Sequence, residues 1–161
     1  MKVNELGPDT QLPYLDEHAT EIAAGVEDVW PALTEIVDRA FSGGGSATYA
    51  RIVGCTDHRA TGPRPLAAGS TIPGFRVVAA VPERELVLEG RHHFSSYGLI
   101  FRLEEISSGR SRLTAESRAS FPGLHGAVYR FLVVGTRGHV VAVRRLLARV
   151  RRRAERAAPS S

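Results

Sequence analysis

The chain has 161 residues, of which 43% are hydrophobic and 24% are charged, proportions typical of one globular domain with its own core. Its single cysteine excludes an internal disulfide framework and fits a reducing compartment. The first residues lack the apolar core of a signal peptide, and no run approaches the roughly 18 apolar residues of a membrane span. We therefore predict a cytoplasmic protein with no membrane span.

The first predicted elements are a leader, a strand and a short helix. Residues 1–11 lack periodicity, which predicts a flexible leader. A strand is predicted over residues 14–23, and the acidic pair Glu27 and Asp28 then marks the start of a helix. The apolar positions of this helix recur at helical spacing and are Ala32, Leu33, Ile36, Val37, Ala40 and Phe41.

Antiparallel strands are predicted for the middle of the chain. The glycine- and serine-rich stretch 42–46 ends the helix, and residues 48–54 are predicted as a strand that a loop follows. Four alternating stretches come next, at residues 70–81, 84–93, 96–106 and 111–121. Since side chains alternate between the two faces of a strand, each stretch has an apolar face and a face rich in Arg and Glu, which we interpret as structural. The predicted apolar face consists of Phe75, Val77, Ala79, Val81, Leu86, Leu88, Gly90, His92, Tyr97, Leu99, Phe101, Leu103, Leu113, Ala115, Ser117 and Ala119.

The last predicted element is a long amphipathic helix from about Gly123 to Glu155. Its apolar stripe, at steps of three or four residues, consists of Val128, Leu132, Gly135, His139, Val143, Leu146 and Val150. A sheet and a helix of this kind bury their apolar sides against each other, so we expect the helix to cover the apolar face of the sheet. The arginines near its end are Arg144, Arg145, Arg149, Arg151, Arg152, Arg153 and Arg156. We interpret them as a solvated helix end, because no nucleic-acid motif accompanies them.

Two stretches of sequence and the order of the elements resemble a known superfamily. One stretch is Ile22-Ala23-Ala24-Gly25-Val26-Glu27-Asp28-Val29-Trp30-Pro31-Ala32-Leu33, at the passage from strand to helix, and the other contains Gly126, Tyr129, His139 and Ala154-Glu155. Together they resemble the START-like superfamily, also called SRPBCC, helix-grip or Bet v 1-like, which includes the polyketide cyclase/dehydrase group. The chain has Ala24-Gly25 where the family commonly has Ala-Pro.

The resemblance covers about residues 12–156 and implies an α+β helix-grip fold. In this fold a curved antiparallel sheet wraps around a long C-terminal helix, and a short helical element follows strand one. Members of the family bind lipids, sterols, polyketides or other apolar molecules between sheet and helix, and they share no single catalytic signature. We therefore predict one domain over residues 12–156, followed by a disordered tail at 157–161.

The polar residues on the predicted inner faces are the candidates for chemistry. His92, His139 and Tyr97 are the candidate catalytic residues, since histidine titrates near neutral pH and a phenol can donate to a developing enolate. The predicted cavity residues are Trp30, Phe75, Val77, Leu88, His92, Tyr97, Leu99, Phe101, Ser117, Leu132, His139 and Val143. His18 shares the inward parity of the first strand, and Cys55 is interpreted as an inert thiol.

These residues favour one function and leave an alternative open. The favoured function is binding of a small hydrophobic, lipid- or polyketide-like molecule by a monomer or homodimer. The alternative is a cofactor-independent polyketide cyclase or dehydratase that acts in the same cavity. No metal site is expected, because the adjacent His92 and His93 point to opposite faces of a strand and cannot chelate one ion together. No cofactor is expected, because the sequence has no nucleotide or dinucleotide fingerprint. A nucleic-acid partner is not expected either.

Overall fold

The computed structural model describes residues 12–43, 48, 51–52, 54–93, 95–130 and 137–159, with residues 124–126 and 129 described by their backbone alone. Six strands form one antiparallel sheet in the order β1-β6-β5-β4-β3-β2. They are β1 (Tyr14–Ile22), β2 (Thr71–Ile72), β3 (Phe75–Val81), β4 (Glu85–His92), β5 (Ser95–Ser107) and β6 (Arg110–Ser120). The helices whose full bounds lie within the described residues are α1 (Val26–Phe41), α2 (Gly123–Arg130) and α3 (Gly138–Ala157).

The predicted fold class is confirmed, because a curved antiparallel sheet carries a helix after its first strand and a C-terminal helix across its inner face. The helix α3 packs against α1 and β1. The Arg153 guanidinium on α3 lies 3.0 Å from the Glu35 carboxylate on α1, and Glu155 accepts a hydrogen bond from the Ala23 backbone at 3.0 Å. These contacts hold the C-terminal half of α3 to the start of the domain.

The predicted stretch 70–81 is two strands rather than one. Pro73 and Gly74 form a tight turn between β2 and β3, with Gly74 at a φ of 93° that favours glycine. A β-bulge then follows in β3, since Val77 pairs with Leu88 and Ala79 pairs with the next residue of β4. The extra residue shifts the alternation. Val81 consequently faces solvent, and the prediction that it faces inward is wrong.

Two other predicted boundaries are also corrected. Thr48, Arg51 and Ile52 are helical, so the strand predicted over 48–54 is wrong at these positions. The C-terminal region is not one helix from Gly123, because α3 begins only after Arg137, whose φ of 55° is left-handed. Some predictions fall outside the described residues, namely those for the leader, for residues 44–46 of the glycine turn, and for Leu132 and Gly135.

The core fills only one end of the space between the sheet and the helices. Its fully buried side chains from the sheet, α1 and α3 include Ile22, Val29, Leu33, Val37, Leu86, Leu88, Phe101, Leu113 and Val150. Val128, which the predicted stripe placed on the buried face, is 62% exposed. The other end of the inner sheet face, beneath the N-terminal half of α3, is hollow.

Candidate functional site

A cavity of about 680 Å³ lies between the inner face of the sheet and α3. Strands β3 to β6 and the N-terminal half of α3 provide most of its wall, and the end of α1 closes one side. Its described lining residues are Leu15, Ala40, Phe41, Cys55, Pro73, Gly74, Phe75, His92, Ser95, Tyr97, Gly98, Leu99, Ser117, Arg118, Ala119, Phe121, His139, Ala142, Val143, Arg145, Leu146 and Arg149. The wall is therefore mainly apolar, with a few polar groups and three arginines.

The cavity brings together most of the residues that the sequence nominated. The nominated residues on its wall are Phe75, His92, Tyr97, Leu99, Ser117, His139 and Val143. Val77, Leu88 and Phe101 are instead buried in the closed core, and the structure corrects their placement. Trp30 packs against that core from α1 and is not among the described lining residues. Alternation placed Val77, Leu88 and Phe101 on the correct face of the sheet. It does not tell which end of a strand borders the hollow.

One polar cluster surrounds the Tyr97 phenol. The Tyr97 hydroxyl donates a hydrogen bond to the Gly74 carbonyl at 2.7 Å, and the Cys55 sulfur lies 3.6 Å from the Tyr97 hydroxyl oxygen. Phe75 packs edge-on against the Tyr97 ring at 5.1 Å, and the His92 ring lies 5.4 Å away. Since its proton is directed to a backbone carbonyl, the phenol offers mainly its oxygen to a ligand.

The position of Tyr97 depends on a glycine in the neighbouring strand. Gly90 is the direct partner of Tyr97 between β4 and β5. A Cβ atom at Gly90 would collide with the Gly74 carbonyl oxygen and the Tyr97 ring. The missing side chain therefore allows the ring to lie across β4 and reach the β2–β3 turn.

His92 is neutral at physiological pH in this environment. Burial lowers the pKa of its imidazole, and the nearby His93 charge lowers this pKa further. The side chain is 7% exposed, and its Nε2 atom lies 3.2 Å from the Ser95 hydroxyl. A neutral imidazole on the wall can accept a proton, which is the state that a general base requires.

A second polar cluster lies where α3 crosses β1 and β6. The His139 Nε2 atom is 2.9 Å from the Ser117 hydroxyl and 3.5 Å from the Asp16 carboxylate. The other Asp16 oxygen is 3.3 Å from the His18 imidazole. Asp16 pairs directly with Ser117, and a bulge at Leu15 allows both Leu15 and Asp16 to face inward.

This second cluster does not have the geometry of a hydrolytic triad. In a triad the histidine uses one ring nitrogen for the nucleophile and the other for the carboxylate. Here the Ser117 hydroxyl and the Asp16 carboxylate approach the same nitrogen of His139. The Oδ1 atom of Asp16 is buried and has no hydrogen-bond partner among the described residues. The arrangement can hold an imidazole at the cavity wall and exchange a proton with a ligand.

Sequence reasoning missed several residues of the site. Cys55 lines the cavity because a loop brings it to Tyr97, 42 positions further along the chain, and local pattern carries no signal for this contact. Leu15 was missed because the bulge in β1 is not visible in a simple alternation. Asp16 has the same parity as His18, so alternation does place it inward, and that parity was the available signal. Arg145 and Arg149 were interpreted as part of a solvated helix end, although both line the cavity. Their spacing of four residues on the cavity side of α3 was the available signal.

Solved structures with the same fold confirm the resemblance at the level of architecture. The Zhui aromatase/cyclase from Streptomyces sp. R1128 aligns with a TM-score of 0.57 at 15% identity, over 91% of this chain and 95% of that one. A conserved protein from Geobacillus kaustophilus aligns with a TM-score of 0.55 at 14% identity, over 88% and 95%. The Aha1 dimer from Colwellia psychrerythraea aligns with a TM-score of 0.50 at 15% identity, over 84% and 94%.

The chain therefore has the helix-grip fold of these proteins. Identities of this size establish the fold alone, because one fold carries many functions. No family model matches the chain, and no curated protein matches it in sequence. Function has to be argued from the cavity itself.

Two classes of site are not found in the part of the chain that the structure describes. None of the described helices has the length and apolar character needed to cross a bilayer. The described His, Cys, Asp and Glu side chains also form no group of three that could hold a metal ion.

Proposed function

We propose that the protein binds one small, largely apolar molecule in the cavity between the sheet and α3. The observation that carries this proposal is the hollow of about 680 Å³, a size within the usual range of ligand pockets. Its wall is lined by Phe41, Phe75, Leu99 and Leu146, with polar groups from His92 and His139 among them. An apolar wall with a few polar groups is typical of a site that buries a ligand and fixes its orientation.

A fluorescence titration with phenylnaphthylamine, an uncharged apolar dye, tests this proposal. We expect saturable binding of one dye molecule per chain. The Ala119→Phe variant should weaken binding at least about tenfold, because it places a ring inside the hollow. The matched control is Ala19→Phe, since Ala19 is an exposed alanine of β1 and lies outside the cavity wall. Equal affinity in both variants would contradict binding in the cavity.

A cyclase or dehydratase activity on a polyketide-like substrate is the second candidate function. The observation that favours it is the neutral His92 on one side of the cavity and the His139–Ser117 pair on the other. A base at a carbon acid and donors at the developing enolate are what such a reaction requires. The neighbour named as an aromatase/cyclase shares only the fold, so this candidate depends on the residues of this cavity.

The two candidates differ in the result of histidine substitutions. The substrate for the test is a synthetic poly-β-carbonyl thioester, and product formation is followed by chromatography and mass spectrometry. If the cavity is catalytic, His92→Ala or His139→Ala should lower turnover by at least about 100-fold while dye binding is kept. Absence of cyclised product in the wild type, with dye binding intact, would favour binding alone.

A further inference from the structure

Two arginines lie on the side of α3 that faces the cavity. Ala142, Arg145, Leu146 and Arg149 all line the cavity wall. Residues three, four and seven positions apart share one face of a helix, so the two arginines continue the stripe that the apolar residues begin. Both arginines are exposed, which places their charges at the mouth of the cavity rather than within its apolar body.

The carboxylates that the structure describes do not neutralise the charges of these two arginines. Among the described residues no carboxylate forms an ion pair with Arg145 or Arg149, whereas Arg151 and Arg153 on the same helix each have a partner 3.0 Å away. An unpaired guanidinium beside an apolar opening attracts an anionic group.

The positive charge continues beyond the mouth. Arg149 also lines a cleft of about 420 Å³ between α1 and α3, and the other described lining residues of this cleft are Ile36, Arg39, Arg152, Arg153 and Arg156. One carboxylate, that of Glu35, serves both Arg39 and Arg153. The region next to the mouth therefore has a net positive charge, which raises the local concentration of anions at low ionic strength.

We propose that the ligand is an amphipathic organic anion. Its apolar body occupies the cavity, and its acidic group, a carboxylate, sulfonate or phosphate, binds Arg145 and Arg149 at the mouth. A guanidinium group suits this role because its N–H groups form paired, charge-assisted hydrogen bonds with such oxygens. This inference rests on the proposed function, and it specifies the chemical class of the ligand.

Two dyes that differ by one anionic group test the inference. Anilinonaphthalene sulfonate and phenylnaphthylamine share the same aromatic amine, and only the first carries a sulfonate. We expect the sulfonate to bind the wild-type protein more tightly at low ionic strength, by about tenfold or more. We also expect this preference to decrease as salt is added, since exposed charges are screened.

Arginine substitutions then locate the anionic group. The double variant Arg145→Gln with Arg149→Gln should weaken sulfonate binding about tenfold and leave phenylnaphthylamine binding within about twofold. The matched control is Arg152→Gln with Arg156→Gln, which removes the same charge from the cleft and leaves the cavity wall unchanged. Urea denaturation of each variant confirms that the fold is kept.

Each remaining outcome contradicts a specific statement. Equal affinity for the two dyes, or equal loss of both in the Arg145 and Arg149 variant, overturns the inference and leaves the proposed function standing. Loss of sulfonate binding only in the Arg152 and Arg156 variant overturns the inference too, because the anion then binds in the cleft. If neither dye binds the wild type, the proposed function itself fails.

Discussion

The inner face of the sheet is packed solid at one end and hollow at the other, although the same strands run through both ends. On β6, Leu113 and Ala115 are fully buried in the core, whereas Ser117 and Ala119 line the cavity. On β5 the same change occurs from Phe101, which is in the core, to Leu99 on the cavity wall. On β5 and β6 the change from packed to hollow therefore takes place within two residues.

The difference separates the part of the domain that stabilises the fold from the hollow that we propose as the binding site. At the packed end, large side chains from α1, α3 and the sheet meet and remove apolar surface from water, which stabilises the fold. At the hollow end, α3 presents His139 and Ala142 to the cavity, and β6 contributes the small side chains of Ser117 and Ala119 to the same wall. Substitutions that change side-chain volume should therefore lower the free energy of unfolding much more at the packed end than at the hollow end.

The largest expected effect is the removal of a ring from the packed end. Phe101 is fully buried, so Phe101→Ala should lower the free energy of unfolding by about 3–5 kcal/mol. Phe75 is only half-buried and borders the cavity, so Phe75→Ala should cost about 1–2 kcal/mol, largely through its edge-on contacts with Phe41 and Tyr97. Urea denaturation measures both values. A cost for Phe75→Ala as large as that for Phe101→Ala would mean that the hollow end is packed in solution.

The sequence predicted the secondary structure well wherever hydrophobic alternation was regular. The strand 14–23, the helix after it and the stretches that correspond to β4, β5 and β6 lie close to their predicted positions. The errors lie where one residue changes the pattern. The bulge in β3 turns Val81 outward, and the left-handed Arg137 precedes α3. Residues 77–81 are all apolar, so the shifted alternation of β3 leaves no mark on the hydrophobic periodicity that the prediction used, and a single left-handed residue such as Arg137 leaves none either.

The site was predicted only in part, for a different physical reason. Alternation sorts side chains between faces, and it correctly turned His92, Tyr97 and Ser117 toward α3. Whether a part of the inner face is packed or hollow depends on the sizes of side chains that several strands and helices bring together, and alternation along one strand does not report these sizes. The contact between Cys55 and Tyr97, and the approach of His139 to Asp16, join distant parts of the chain that no local pattern connects.

An intermediate effect is expected when an alanine of β6 is replaced by leucine, once at the packed end of the inner face and once at the hollow end. Ala115 is fully buried in the core, so Ala115→Leu should overpack it and lower the free energy of unfolding by about 1–3 kcal/mol. Ala119 borders the hollow, so Ala119→Leu should extend into open space and change the stability by less than about 0.5 kcal/mol. Both alanines lie on the inner face of one strand, so strand propensity is matched within the pair. A large loss of stability for Ala119→Leu would contradict the presence of the hollow.

The smallest expected effect is a pH dependence that belongs to the hollow end alone. Burial and the His93 charge lower the pKa of His92 below its ordinary value of 6.5, so the unfolded chain takes up a proton at a higher pH than the folded chain does. The stability that the neutral imidazole contributes is therefore present above about pH 6.5 and is lost as the pH falls through the folded-state pKa. The core residues of the packed end carry no titratable side chain and add no such dependence.

The contribution of His92 can be separated from that of the carboxylates. Burial alone would raise the pKa of Glu116, but hydrogen bonds from Arg102 and Arg118 outweigh it and hold this pKa below its ordinary value of 4.5. The stability that Glu116 contributes is thus lost only at a lower pH than that of His92. Urea midpoints of the wild type and His92→Gln, compared at about pH 7.5 and about pH 5, isolate the histidine. The variant should lose less stability on acidification than the wild type. An identical loss would show that the His92 imidazole is solvated, and the hollow end would then be wet rather than an apolar site.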